Sequence, residues 1–363
     1  MRRVVIRAPN VTVGVDDGRI VEATGPPDVV LPSGVLAPGL IDLQVNGCFG
    51  IEFAYDEDWS PAVSRLPETG VTAFLPTFVT APMEVLIDGL RRVPDPLPGA
   101  RILGVHVEGP FLAAEQKGAH DASLFLDPEP ELIDALLEPG TMALLTLAPE
   151  RAGALVAIER LAGEGVLVSV GHSDARAEVV AAAATAGARM VTHLFNAMRG
   201  IHHREPGVAG QALADERLAC GLILDGHHVA EPVARVAFAA AGGRIALVSD
   251  AIAPAGMQPG LYELGGEPVI TRAGEPPRRP DGTIAGATLR LDDAVARAVA
   301  IGVPPEVAIG AATRVPADLL GRSDLGRIEP GAAADLVWLD DAYRARATWV
   351  GGELVHDELG VAA

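Results

Sequence analysis

Between residues 36 and 320 the chain alternates short, continuous apolar runs with longer amphipathic stretches. The runs are 40–45, 72–78, 102–107, 142–147, 166–170, 190–193, 218–224 and 245–248, eight in all. Several are apolar at nearly every position rather than at every second one. That pattern marks strands buried on both faces, as in a parallel sheet. Segments at 82–92, 131–137, 151–163, 175–187 and 231–241 read as the helices between them, and the alanines of 181–184 fit a helix interior. Eight strand–helix units over roughly 280 residues predict an α/β fold, a (β/α)8 TIM-like barrel. An open, doubly wound sheet is the structural alternative, because periodicity does not reveal closure.

The two ends of the chain follow another rhythm. Short extended segments at 3–7, 11–15 and 19–23 open it, with Asp16-Asp17-Gly18 as a hairpin turn. Segments at 335–339, 347–350 and 353–356 close it, with Gly351-Gly352 between the last two. Both ends are expected to meet in one small β-sandwich domain, residues 1–36 and 325–363, beside a barrel of 37–324. Pro26-Pro27, Pro32-Ser33-Gly34 and Glu329-Pro330-Gly331 punctuate the boundaries. The stretch 262–282, rich in Gly, Pro and charge, reads as a long loop with room for a hairpin.

Composition narrows the partners. The 363 residues are 49% hydrophobic and 21% charged, enough apolar content for a large core. A net charge of −20 repels phosphate backbones and anionic lipid surfaces, so neither nucleic acid nor membrane is an expected partner. An anionic substrate would need a local basic pocket working against that field. Two cysteines, Cys48 and Cys220, build no disulfide framework and suit a reducing compartment. No apolar segment follows Arg2-Arg3 as a signal peptide requires, and no charge-free run of about 18 apolar residues occurs. A cytoplasmic location is expected.

The chemistry collects at the ends of the predicted strands. Eight of the nine histidines lie between residues 106 and 228. Glu108 ends the third run, His172 follows the fifth and His193 closes the sixth. Asp225 follows the seventh, with His227 and His228 beyond it, and Asp250 follows the eighth. In a (β/α)8 barrel these ends form the active-site face. One histidine there would be an ordinary hydrogen-bonded core residue; the set is a constellation. Two imidazoles and a carboxylate suit Zn²⁺ and leave a position for water. Asp250 is the candidate proton shuttle, because a carboxylate beside an activated water can take its proton and pass it on. His202, His203 and Arg204 supply a basic loop, and arginine can hold a phosphate bidentately.

A competing motif fails. Gly171-His172-Ser173-Asp174-Ala175 looks like a nucleophile elbow, but the last glycine is Ala175. The required order of Ser, acid and His also fails, since only His356 follows Asp250. Neither a phosphate-binding P-loop nor a dinucleotide fingerprint is present, so nucleotide binding has no support.

Nine strings then occur in order: APGLIDLQVNGCFG (37–50), HVEGPFL (106–112), KGAH (117–120), VGHSDA (170–175), THLFNAM (192–198), REPGVAG (204–210), DGHHV (225–229), VSDAIAPAG (248–256) and IAGATL (284–289). Together they resemble the N-acetylglucosamine-6-phosphate deacetylases of the amidohydrolase superfamily. The resemblance implies an amidohydrolase-type barrel that hydrolyses N-acetylglucosamine 6-phosphate to glucosamine 6-phosphate and acetate, in amino-sugar catabolism. It matches Glu108, His172 and His193 to the metal ligands and Asp250 to the catalytic acid/base. His120 matches a residue that polarises the acetamido carbonyl. Ala119, His120, Asn196, Ala197, Arg204, Asp225, Gly226, His227, His228, Ile284, Ala285 and Gly286 match substrate contacts. It further implies a homodimer in which some phosphate contacts come from the neighbouring subunit.

Many amidohydrolases carry His-x-His at the end of the first strand, for a second metal. Here that position reads Gln44-Val45-Asn46, and amides are poor Zn²⁺ ligands. The expectation is therefore one divalent metal per subunit, Zn²⁺ first, with Fe²⁺, Co²⁺ and Mn²⁺ as alternatives. The other readings are an amidohydrolase for a different N-acetyl sugar phosphate or a cyclic amide, and an inactive scaffold. Cyclic-amide hydrolases usually need a carboxylated lysine at a strand end; the single lysine, Lys117, lies in a loop.

Overall fold

The computed structural model describes residues 3–358 and 360. Residues 1–2, 359 and 361–363, the outermost of the small β domain expected from sequence, lie outside the described residues. The eight apolar runs become eight strands: β1 (Leu40–Val45), β2 (Val71–Val79), β3 (Val105–Glu108), β4 (Met142–Leu147), β5 (Leu167–Val170), β6 (Met190–Val191), β7 (Ala219–Leu222) and β8 (Ile245–Leu247). Each pairs in parallel with the next.

The ring closes beyond β8. Asp250 N donates to Gln44 O at 3.0 Å, and Asn46 N donates to Ala251 O at 2.8 Å. These bonds join the chain after β8 to the end of β1, so the sheet is a barrel and not an open, doubly wound one. The third run is split: Arg101–Ile102 pairs with β2, and the chain turns at Gly104 (φ +118) before β3 begins. Helices Met83–Arg91, Pro130–Leu137, Ala154–Gly163, Ala177–Ala186 and Glu231–Ala241 fall where the amphipathic pattern put them. Gly207–Ala214 adds a helix between β6 and β7. Its sequence GVAGQALA places a glycine, Gly210, in the helix interior at a cost of about 1 kcal/mol, and tertiary packing overrides that propensity. Five of its residues, Gly207, Val208, Ala209, Ala212 and Leu213, are buried.

Inside the barrel a polar layer lies among apolar ones. His106 Nε2 sits 2.8 Å from Thr146 Oγ1, which meets Thr192 Oγ1 at 2.7 Å; Thr192 Oγ1 meets Ser169 Oγ at 2.6 Å. His106 is thus a satisfied core histidine.

The chain ends form two four-stranded sheets. One holds Arg19–Val21, Thr12–Asp16, Val4–Arg7 and Val29–Val30; the other Glu353–Asp357, Ala345–Val350, Leu336–Leu339 and Val35–Pro38. Successive residues of a strand point to opposite faces. Leu36, Leu336 and Trp338 accordingly join Ile6, Val13 and Ile20 in a core between the sheets, while Ala37, Val337 and Leu339 join the barrel core. The second sheet is therefore apolar on both faces. Arg101 pins it to the barrel with a two-bond contact to Asp335 at 2.8 and 3.1 Å. The stretch expected as a loop carries the hairpin Leu261–Leu264 and Glu267–Ile270. None of the described helices is long and apolar enough to cross a membrane.

Candidate active site

A cavity of about 420 Å³ opens at the C-terminal ends of the strands. Glu108 is the last residue of β3, and His172 and His193 stand just past β5 and β6. All three are buried, and their ligand atoms lie within 4.8 Å of one another. His172 Nε2 is 3.2 Å and His193 Nε2 is 3.0 Å from Glu108 Oε1, with 3.1 Å between the two nitrogens. His172 Nδ1 faces Gln116 O at 2.9 Å. A carbonyl only accepts, so Nδ1 carries the proton and Nε2 presents a lone pair to the cluster. Burial works to raise the Glu108 pKa, but its close contacts with the His172 and His193 rings outweigh it and hold the group well below the usual range. An ionised carboxylate and a lone pair 3.2 Å apart call for a cation between them. The donor set fits a divalent metal ion, with room for a further ligand.

Asp250 sits past β8, at the closure of the barrel. Its Oδ1 accepts from Asn46 Nδ2 at 2.8 Å and from Gln44 Nε2 at 3.1 Å; Gln44 Nε2 also lies 3.3 Å from both Glu108 oxygens. The two amides at the end of β1 thus face carboxylates as donors. Burial, then the charge of Glu108, pushes the Asp250 carboxyl up to about 6. His120 flanks the cluster on another side. Its Nδ1 is 2.9 Å from Thr80 Oγ1 and 3.4 Å from the Thr80 N–H, and its Nε2 is 3.9 Å from Glu108 Oε2. An N–H cannot donate to another N–H, so Nδ1 accepts and Nε2–H points towards the cluster. Burial pulls its pKa down to about 3, so the ring is neutral.

Of the residues expected at the site, Ala119, His120, Asn196, Ala197, His228, Ile284 and Gly286 line this cavity with the metal set and Asp250. Five do not. Asp225 turns back, accepting from the N–H groups of His227 and His228 and from His228 Nδ1 at 2.7 Å. These contacts outweigh burial and hold it down to about 2; it orients His228 rather than facing the cavity. Asp225 and His227 line a neighbouring depression, with Gly226 between them in the chain. Ala285 is buried in a small apolar cluster. Arg204 is exposed, its Nη1 bonded to His203 Nε2 at 2.8 Å. The sequence reading passed over Thr80, Gln116 and Arg279. Thr80 follows β2 directly, so the strand-end criterion reaches it; nothing in the sequence marks the other two.

A parallel barrel with two imidazoles and a carboxylate converging at its strand ends defines a candidate metallohydrolase. The amidohydrolase family profile matches residues 35–355, and the chain belongs to that family. It is 38% identical over 332 residues to an N-acetylgalactosamine-6-phosphate deacetylase of Escherichia coli O157:H7, covering 88% of this chain and 87% of the relative. It is 37% identical over 344 residues to an N-acetylglucosamine-6-phosphate deacetylase of Caenorhabditis elegans, covering 88% and 82%. Among solved structures, N-acetyl-D-glucosamine-6-phosphate deacetylase of Mycobacterium smegmatis superposes with a TM-score of 0.92 at 34% identity, over 98% of this chain and 100% of that one.

Proposed function

We propose that this chain hydrolyses the amide of N-acetyl-D-glucosamine 6-phosphate, giving D-glucosamine 6-phosphate and acetate. One observation carries the reading. Residues from the KGAH, THLFNAM, DGHHV and IAGATL strings, which the family resemblance assigns to an amino-sugar phosphate, line one cavity together with Glu108, His172, His193 and Asp250.

Glu108, His172 and His193 would hold one divalent cation, Zn²⁺ in our reading. When bound, the cation lowers the pKa of a water and polarises the scissile carbonyl. His120 Nε2–H donates to the carbonyl oxygen as negative charge grows there, and its neutral state lets it do so without repelling the cation. Asp250 takes the proton of the attacking water and delivers it to the nitrogen, an amine leaving poorly unless protonated. Gln44 and Asn46 hold the Asp250 carboxylate by its Oδ1. Asn196, Ala197 and His228 stand where sugar-phosphate contacts are expected. Arg204 is exposed and outside the cavity of its own chain, which suits a homodimer in which it reaches the partner's phosphate. The two cysteines are buried free thiols, in keeping with a cytoplasmic enzyme.

A second reading exchanges the sugar for its 4-epimer, N-acetylgalactosamine 6-phosphate, on which the Escherichia coli relative's name centres. A cyclic-amide hydrolase is disfavoured because Lys117 lies in the loop after β3, exposed, and not at a strand end. The test is acetate release from both phosphorylated sugars and from unphosphorylated N-acetylglucosamine, with metal counted per chain. Acetate from the gluco phosphate alone, with about one metal per subunit, is the expected result. Metal without hydrolysis of any of the three would refute the reading, and neither metal nor hydrolysis would mark an inactive scaffold.

A further inference from the structure

His172 is gripped twice by one short segment after β3. Ala113 N–H donates to His172 O at 2.9 Å, and Gln116 O accepts from the ring's Nδ1–H at 2.9 Å. The tight turn Ala114–Gln116 between these contacts buries none of its residues. Packing therefore does not fix where the Gln116 carbonyl stands, and hydrogen bonds must. The side-chain anchor lies two residues past the metal ligand itself: Gln116 Nε2 donates to Asp174 Oδ1 at 3.1 Å, across 58 residues of chain.

Asp174 is held from two other directions. Its Oδ2 accepts a charge-assisted hydrogen bond from Arg199 Nη2, and its own N–H donates to Glu150 Oε1 at 2.6 Å. Ser173 Oγ donates to Glu150 Oε2 at 2.7 Å, so one carboxylate clamps both residues that follow His172. Arg199 is placed by its main chain, whose N–H donates to Ser173 O at 3.0 Å. The bonds make a closed ring that runs from the His172 imidazole through Gln116 to Asp174 and back along the chain to His172. Gln116 and Asp174 are only half-buried, where a lone neutral hydrogen bond contributes little. Here the arginine and Glu150 fix the carboxylate beforehand, so little freedom is lost when Gln116 docks on it.

We infer that Asp174 is a positioning residue of the metal centre. By holding Gln116 it keeps the Gln116 carbonyl on the Nδ1–H of His172, which fixes the tautomer and the aim of Nε2. The inference rests on the reading that Glu108, His172 and His193 hold a divalent cation. The outer partners of a ligating imidazole are typically worth about 10–100-fold in metal affinity. Asp174 acts one bond further out than the carbonyl, so the lower end of that range applies.

The test is the Zn²⁺ affinity of the folded protein, measured by competition with a chromophoric chelator and independent of turnover. Asp174→Leu, similar in size but unable to accept a hydrogen bond, should weaken Zn²⁺ binding by about tenfold. Gln116→Leu should do the same, and the double variant should lose no more than Asp174→Leu alone, because both changes break one bond. Asp174→Asn should restore most of the affinity, since an amide can offer its oxygen to Arg199 and its N–H to a flipped Gln116 side chain. Arg176→Ala removes only an outlying pair with Glu205 at 3.5 Å and should bind Zn²⁺ as the wild type does. If Asp174→Leu does not fold, Gln116→Leu, on the exposed turn, and the Asp174→Asn variant carry the test. Affinity unchanged in the leucine variants, or losses that add in the double variant, overturns the positioning role while leaving the metal site intact. A wild type that binds no Zn²⁺ overturns the site, and the inference with it.

Discussion

At His172, His193 and Asp250 the main chain is left-handed, with φ of 47°, 31° and 49°. Such conformations cost non-glycine residues about 1–3 kcal/mol each and collect where function needs a particular aim. Here each follows a strand end, and each side chain lines the cavity. Asp250 should be the most sensitive of the three to a subtle change. Asp250→Asn keeps the shape and removes the base, so kcat should fall at least about a hundredfold, the usual scale of general acid–base catalysis, with metal content unchanged. Activity within tenfold of wild type would exclude the role. The pH profile carries a second expectation. A base works only when ionised, so kcat/KM should fall as pH drops through the Asp250 pKa, raised to about 6 by burial and the charge of Glu108. The Asn46 amide favours the ionised form, so Asn46→Ala should move that acid limb to higher pH; a limb that stays put or moves down would contradict the assignment.

Among elements, the polar layer inside the barrel makes its own mark on stability. Burial pulls the His106 pKa from 6.5 down to about 4. The unfolded chain therefore binds a proton between those values while the folded chain does not, and stability falls as pH drops from 6.5 towards 4. The full effect is about 3 kcal/mol. His106→Gln keeps a polar group beside Thr146 and cannot titrate, so the difference in unfolding free energy between wild type and variant should slope across that window and be flat above pH 7. The layer also shows what the sequence conveys. Strands such as β4 and β8 were legible because they are apolar almost throughout. Glu108, His172, His193 and Asp250 were legible because strand ends in a barrel face one way. Strand ends themselves were less so: the run 190–193 stops as a strand at Val191, where Thr192 turns into the polar layer and His193 goes left-handed. Arg279 was invisible for a different reason. Its partners are main-chain carbonyls, one of them 160 residues away, and a carbonyl has no side-chain signature.

For the whole molecule, the sheet that is apolar on both faces makes the chain ends part of the barrel's stability, since removing it would uncover Ala37, Val337 and Leu339 together with the barrel residues beneath. The proposed dimer is tested at this scale. If Arg204 serves the neighbouring subunit, Arg204→Ala and Asp250→Asn homodimers should both be impaired, yet subunits exchanged between them should regain activity. Random reassortment gives one intact site in each mixed dimer, about a quarter of wild-type activity. No recovery, with exchange verified by mass, would place Arg204's action in its own chain or outside catalysis.

Lys117 is the sole lysine among 363 residues, and it is exposed at the rim of the cavity. An amine-directed reagent therefore meets one side chain, beside the α-amino group. A fluorophore or a surface linkage attached through it would report from the mouth of the active site, and bound substrate should slow the labelling.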